Sequence, residues 1–114
     1  MIIGSLIFHI AGIVFAAILA GSVIYILAKI TINYLKKYRK KKNSKILAAQ
    51  VKDMIKRAPT LSLDDLPDID EDDVLLAEYN DEEDELVQDI TVAKDIDEKV
   101  IGILNSNEGI VVFD

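Results

Sequence analysis

Ile2 to Ala28 reads IIGSLIFHIAGIVFAAILAGSVIYILA, twenty-seven residues without a charged side chain, interrupted only by Ser5, His9 and Ser22 as clearly polar positions. At about 1.5 Å of rise per residue such a helix reaches roughly 40 Å. That exceeds the hydrocarbon core of a bilayer, about 30 Å thick. No helix of a soluble domain needs an apolar surface this long on every side. The pattern therefore predicts a transmembrane helix with its interfacial end over residues 1–35. No basic region precedes the run and it is too long for a cleaved leader, so it reads as an uncleaved signal-anchor.

Beyond Gly21 there is no Gly or Pro until Pro59, which predicts that the helix continues to Ala58, with Asn43-Ser44 as its hinge. Over residues 36–58 the helix is basic and amphipathic: Leu47, Val51, Met54, Ile55 and Ala58 share a face opposite Lys45, Lys52 and Lys56. Residues 59–89 form an acidic linker, partly disordered, in which Leu61, Leu63, Leu66 and Ile69 are spaced among carboxylates. Short helices are expected there from Asp68 through Val74-Leu75-Leu76 to Tyr79, and from Glu82 to Gln88. Residues 90–114 change to a β pattern. Ile90 and Val92 alternate with polar residues, and Val100–Leu104, the Asn105–Gly109 turn and Ile110–Phe113 read as strand, turn, strand. The expected fold class is thus mainly α: a single-pass span, a basic helix, an acidic region with short helices and a C-terminal β-hairpin.

Charge sharpens this division. Residues 1–57 hold eleven of the thirteen Lys and Arg and one acid, a net +10, whereas residues 58–114 hold two lysines and nineteen acids, a net −17. The lysines follow the apolar run and none precedes it, which by the positive-inside rule puts the N-terminus outside and the C-terminus in the cytoplasm. Lys36, Lys37, Arg39, Lys40, Lys41, Lys42, Lys45, Lys52 and Lys56 are then placed to bind anionic lipid, at about 1 kcal/mol per basic residue near the surface. Nucleic acid is not expected, because no aromatic stacking platform accompanies these charges.

Candidate contact positions follow from the same pattern. Gly12, Ala16 and Ala20 recur every fourth residue and would let a second helix approach closely. Leu63, Leu66, Leu75, Leu76, Ile110 and Val112 are the apolar anchors of the acidic half for a protein partner, one of basic character or a second copy of the chain. Glu71 to Leu76 also matches an acidic dileucine sorting pattern, and Ser62 precedes Asp65 as an acid-directed kinase would require.

Chemistry has few candidates. The chain has no cysteine, so neither a disulfide nor a thiolate is available. Asp68-x-Asp70-x-Asp72 begins like a calcium loop, but Asp73 stands where that loop needs glycine, and Tyr79 occupies the twelfth position in place of a bidentate glutamate. His9 is the single histidine, readable as an intramembrane proton sensor or as an interfacial hydrogen-bonding group. No metal, cofactor or catalytic residue is expected.

The order of parts resembles in layout the small subunit of the twin-arginine translocase, and also the lentiviral Vpu type of accessory protein. The Phe-Gly hinge of the first and the paired-serine acidic motif of the second are absent, and neither resemblance carries residues over. The sequence thus points to a non-enzymatic single-pass anchor or adaptor, or a small structural subunit of a membrane assembly. The alternative is an oligomeric pore-forming or translocase-type subunit.

Overall fold

The apolar run is divided in two at Gly21. The computed structural model, which describes residues 2–57 and 68–113, ends helix α1 (Ile2–Leu19) in a left-handed turn at Gly21, φ 85°. The amide of Gly21 donates to the Ile18 carbonyl at 3.0 Å and that of Ser22 to the Ala17 carbonyl at 2.9 Å, the paired bonds of a Schellman stop. The chain then reverses into strand β1 (Val23–Ile26). Among the described residues no helix is long and apolar enough to cross a membrane. The expected transmembrane span, its signal-anchor reading and the orientation drawn from the flanking lysines are therefore corrected. Their apolar residues serve a helix and a strand of one folded domain. Gly21→Val forces a β-branched residue into the left-handed region and is expected to lower stability by about 1–2 kcal/mol in urea unfolding.

The predicted continuous helix to Ala58 is likewise broken. Thr31 caps a short helix α2 (Ile32–Tyr38), its side chain accepting from the Tyr34 amide at 3.1 Å. Strand β2 (Lys45–Gln50) and helix α3 (Val51–Arg57) follow. The supposed amphipathic face thus straddles a junction, Leu47 in the strand and Val51 and Met54 in the helix.

The acidic half supplies the rest of the sheet: β3 (Val74–Asn80), β4 (Glu85–Leu86), β5 (Ile90–Ala93) and β6 (Ile110–Phe113), with helix α4 (Glu98–Ser106) before the last strand. Val74–Tyr79, expected as helix, is the central strand, and Val100–Leu104, expected as strand, lies in α4. The sheet runs β1-β5-β3-β2-β6, with β4 paired to the end of β3. β1 and β5 are parallel, and the pairs β5 with β3, β3 with β2 and β2 with β6 are antiparallel.

Strand alternation sends side chains to two cores. Leu47, Ala49, Leu75, Ala77, Ile90 and Val92 face α1 and α3, where Ile10, Val14, Phe15, Val51 and Met54 cover them. Ile46, Ala48, Val74, Leu76 and Ala93 face α2 and α4, under Leu35, Tyr38, Val100 and Leu104. The fold is a mixed α/β three-layer sandwich, not mainly α. Its Cα radius of gyration, 12.8 Å, fits a folded domain of this length, for which about 13 Å is expected.

Candidate functional site

Glu78 is the one charged residue in the central strand and is fully buried, on the face toward α2. Its carboxylate is held by four donor groups. The Lys40 amide lies 2.8 Å from Oε1, the Lys41 amide 2.9 Å from Oε2, Ser44 Oγ 2.5 Å from Oε2 and Gln88 Nε2 2.7 Å from Oε1. Burial alone would raise its pKa. The hydrogen bonds from Ser44, Lys40, Lys41 and Gln88 outweigh burial and hold it below the ordinary 4.5. Glu78 thus fixes the backbone of the lysine-rich turn between α2 and β2.

Beside it, Tyr38 donates its hydroxyl to the Leu76 carbonyl at 3.1 Å and accepts from Thr91 Oγ1 at 3.2 Å. Burial pushes this hydroxyl up to about 12, against the lowering effect of the Thr91 bond.

The opposite charges of the two halves meet within the chain because β2 and β3 are neighbours. Lys41 pairs with Glu83, Lys45 with Asp81 at 3.2 Å and Lys52 with Asp72 at 3.8 Å, while Lys56 reaches Asp53 at 3.7 Å within α3. Lys36, Lys37, Lys40 and Lys42 are exposed around the α2–β2 turn, and Arg39 is half-buried there. The lysines read as one lipid-facing helix side are therefore spread over α2, a turn, β2 and α3, and several face carboxylates of the domain itself.

The aspartates considered for calcium are organised by a lysine. Lys94 Nζ sits 3.0 Å from Asp70 Oδ2 and 2.9 Å from the buried Asp73 Oδ2, which also accepts from the Asp70 amide. No group of residues able to hold a metal occurs among the described residues.

His9 is exposed on α1, and its Nε2 lies 2.6 Å from Asp84 Oδ1 in the β3–β4 turn. The Tyr79 hydroxyl also donates to Asp84, and the His9 and Tyr79 rings meet edge to face at 6.0 Å. Asp84 is held below its ordinary range first by the Tyr79 bond and then by His9. His9 thus ties α1 to the β3–β4 turn, and both membrane-based readings of it fall with the span.

Of the positions singled out as contact residues, Gly12 and Ala16 lie on the exposed side of α1 and Ala20 is exposed in the turn just after it, and no neighbouring atom comes within 4 Å of a β-carbon placed at Gly12. Leu75 and Leu76 are wholly buried on opposite faces of β3, Ile110 is buried and Val112 half-buried in β6. Ser62, Leu63 and Leu66 lie outside the described residues.

Exposed large apolar side chains lie elsewhere, Ile101 and Ile103 on α4 and five more near the other end of the sheet. Phe8 and Leu19 on α1, Ile24 and Tyr25 on β1 and Leu27 just after it are 64%, 60%, 50%, 47% and 100% exposed. Along β1, alternation puts Tyr25 on the α1 side of the sheet and Ile24 on the α2 side, where it lines a hollow with Tyr34 and Tyr38, so the exposed apolar face beside the sheet edge is the outer side of α1. A single-sequence signal existed for it, since a helix apolar all round has a second face to cover. For Glu78 the signal was one acid inside the otherwise apolar VLLAEY. Searches with the whole chain find no matching family model, no matching curated protein and no matching solved structure.

Proposed function

We propose that the chain is a non-catalytic interaction domain that works by binding a second copy of itself through the outer face of α1 and strand β1. The observation that carries this reading is the apolar outer side of α1. After Ile10, Val14 and Phe15 have been buried on the sheet, Phe8, Gly12, Ala16 and Leu19 remain in solvent. Exposed contiguous apolar surface of this kind marks an association site.

The face suits its own copy. Two α1 helices crossed antiparallel about a two-fold axis between Gly12 and Ala16 set Gly12 against Ala16 of the other copy and Phe8 against its Ala20. Large side chains then fall at the ends and small ones at the crossing. Strand β1, which follows α1, ends the sheet order, and an edge strand there favours association. A non-catalytic role is supported by the employment of the buried acids: Glu78 anchors a turn and Asp73 anchors Lys94.

Light scattering coupled to gel filtration tests this. The expected result is a dimer that becomes a monomer in the Phe8→Glu/Leu19→Glu variant, with the unfolding transition of the monomer fold retained. A wild-type chain that stays monomeric at every concentration would overturn the reading. So would a dimer indifferent to both substitutions.

A further inference from the structure

On the other face of the sheet, α2 and α4 are too short and too far apart to close over β2 and β6. Ala48 lies on the floor between them, where a larger side chain would fill the gap. The result is an apolar hollow of about 240 Å³, walled by Ile32 and Leu35 of α2 and Ile103 and Leu104 of α4, with Val111 beside Ala48 on the floor. A second hollow of about 210 Å³ adjoins it, sharing Leu35, Lys36 and Phe113 and adding Ile46 and Arg39. A cavity of about 150 Å³ holds a benzene-sized guest, so the first hollow alone takes a larger apolar body.

The polar end of this groove is unusual. Arg39 Nε is buried and has no hydrogen-bond partner among the described residues. A buried donor normally has an acceptor, because leaving it unpaired costs the full loss of its hydration. None of the side chains lining either hollow is acidic, and the second cation there is Lys36. The main chain that carries Arg39 is held from behind, since the next two residues, Lys40 and Lys41, have their amides fixed on the buried Glu78 carboxylate. An apolar slot thus ends at a cation, with Lys36 beside it.

We propose that this groove is a binding site for a small amphipathic monocarboxylate, an alkyl or aryl carboxylic acid whose apolar body fills the hollow over Ala48 and whose carboxylate pairs with the Arg39 guanidinium. A carboxylate fits the guanidinium better than a neutral acceptor does, because the charge-assisted bond is shorter and about twice as strong. Lys36 at the rim adds attraction without fixing the geometry. The site lies on the face opposite the outer side of α1, so it stands independently of the association reading.

The probe is octanoate, compared with octanol, which has the same apolar body without the charge. Titration is followed by NMR on the Ala48 and Val111 methyl groups and on the Arg39 Nε–H resonance. The expected result is saturable shifts of all three with octanoate and at least about tenfold weaker binding of octanol, the ratio that one charged hydrogen bond of about 1.5 kcal/mol supplies. Arg39→Gln is expected to remove most of the preference for octanoate over octanol, and Ala48→Leu to abolish binding of both. If Ala48→Leu does not fold, the headgroup comparison in Arg39→Gln decides alone. Absence of methyl shifts with octanoate would overturn the proposal. Equal affinity for octanoate and octanol in the wild-type chain would overturn it too.

Discussion

Glu78→Ala is expected to lower the unfolding free energy by about 3 kcal/mol, because hydrogen bonds to a charged group contribute about 1.5–3 kcal/mol and several are lost together. The substitution leaves the Lys40 and Lys41 amides, Ser44 Oγ and Gln88 Nε2 facing an apolar methyl in a site closed to solvent. Glu78→Gln keeps the shape but turns an acceptor into a donor against backbone amides, and is expected to cost a smaller part of this. The pH dependence has a fixed sign. A carboxyl whose folded pKa lies below its unfolded value contributes stability above the unfolded value, about 4.3, and loses it as pH falls through the folded one. Urea unfolding of the wild-type chain is therefore expected to weaken as pH falls below about 4.3, with a shallower slope in Glu78→Gln.

Leu76→Ala is expected to cost about 3 kcal/mol, within the range of about 2–5 for truncating a buried leucine, and Leu75→Ala a similar amount. Both side chains are fully buried, on opposite faces of β3, under α2 and α4 on one side and α1 and α3 on the other. Lys99→Ala, at an exposed position of α4, is expected to change stability by no more than about 0.5 kcal/mol. Thermal unfolding of the three variants separates the roles. If Leu75→Ala and Leu76→Ala leave the transition where it was, β3 is not a central strand.

The leucine pair also shows where the sequence could be read and where it could not. Ile90 and Val92 alternate with polar residues, and Ile110–Phe113 follows a turn, so both were legible as strands; each lies toward the sheet's outer part or beside a turn that marks it. β2 and β3 are covered on both sides, so KILAAQ and VLLAEYN carry no period of two, and short apolar runs of that kind do not distinguish strand from helix. Val100–Leu104 looked like a strand around Gly102, yet Val100 and Leu104 are the buried i, i+4 pair of a helix that starts after Asp97. At the N-terminus, length and hydrophobicity overruled the one local signal of interruption, Gly21, whose left-handed turn divides the run. Of the site features, the exposed small-residue side of α1 was visible as a spacing, whereas the orphaned Arg39 donor depends on packing of α2 against β2 and β6 and has no counterpart in the order of residues.

The charge asymmetry changes meaning in the same way. Separate basic and acidic halves suggested lipid on one side and a basic partner on the other. The pairing of β2 with β3 brings Lys45 beside Asp81, and the neighbouring turn brings Lys41 to Glu83. Exposed pairs of this kind contribute little individually, about 0–1 kcal/mol. Their value here lies in removing like-charge crowding along an acidic hairpin.

The central claim is that the acidic half supplies the middle of a sheet that α1 covers. Hydrogen exchange of the intact chain, resolved by segment, tests it most directly. The account predicts that the amides of 74–80 and 45–50 exchange slowest of all, on the timescale of global unfolding, with those of 10–18 protected alongside them. Exchange of 74–80 at the rate of an unstructured peptide, while 2–28 alone stays protected, would contradict it.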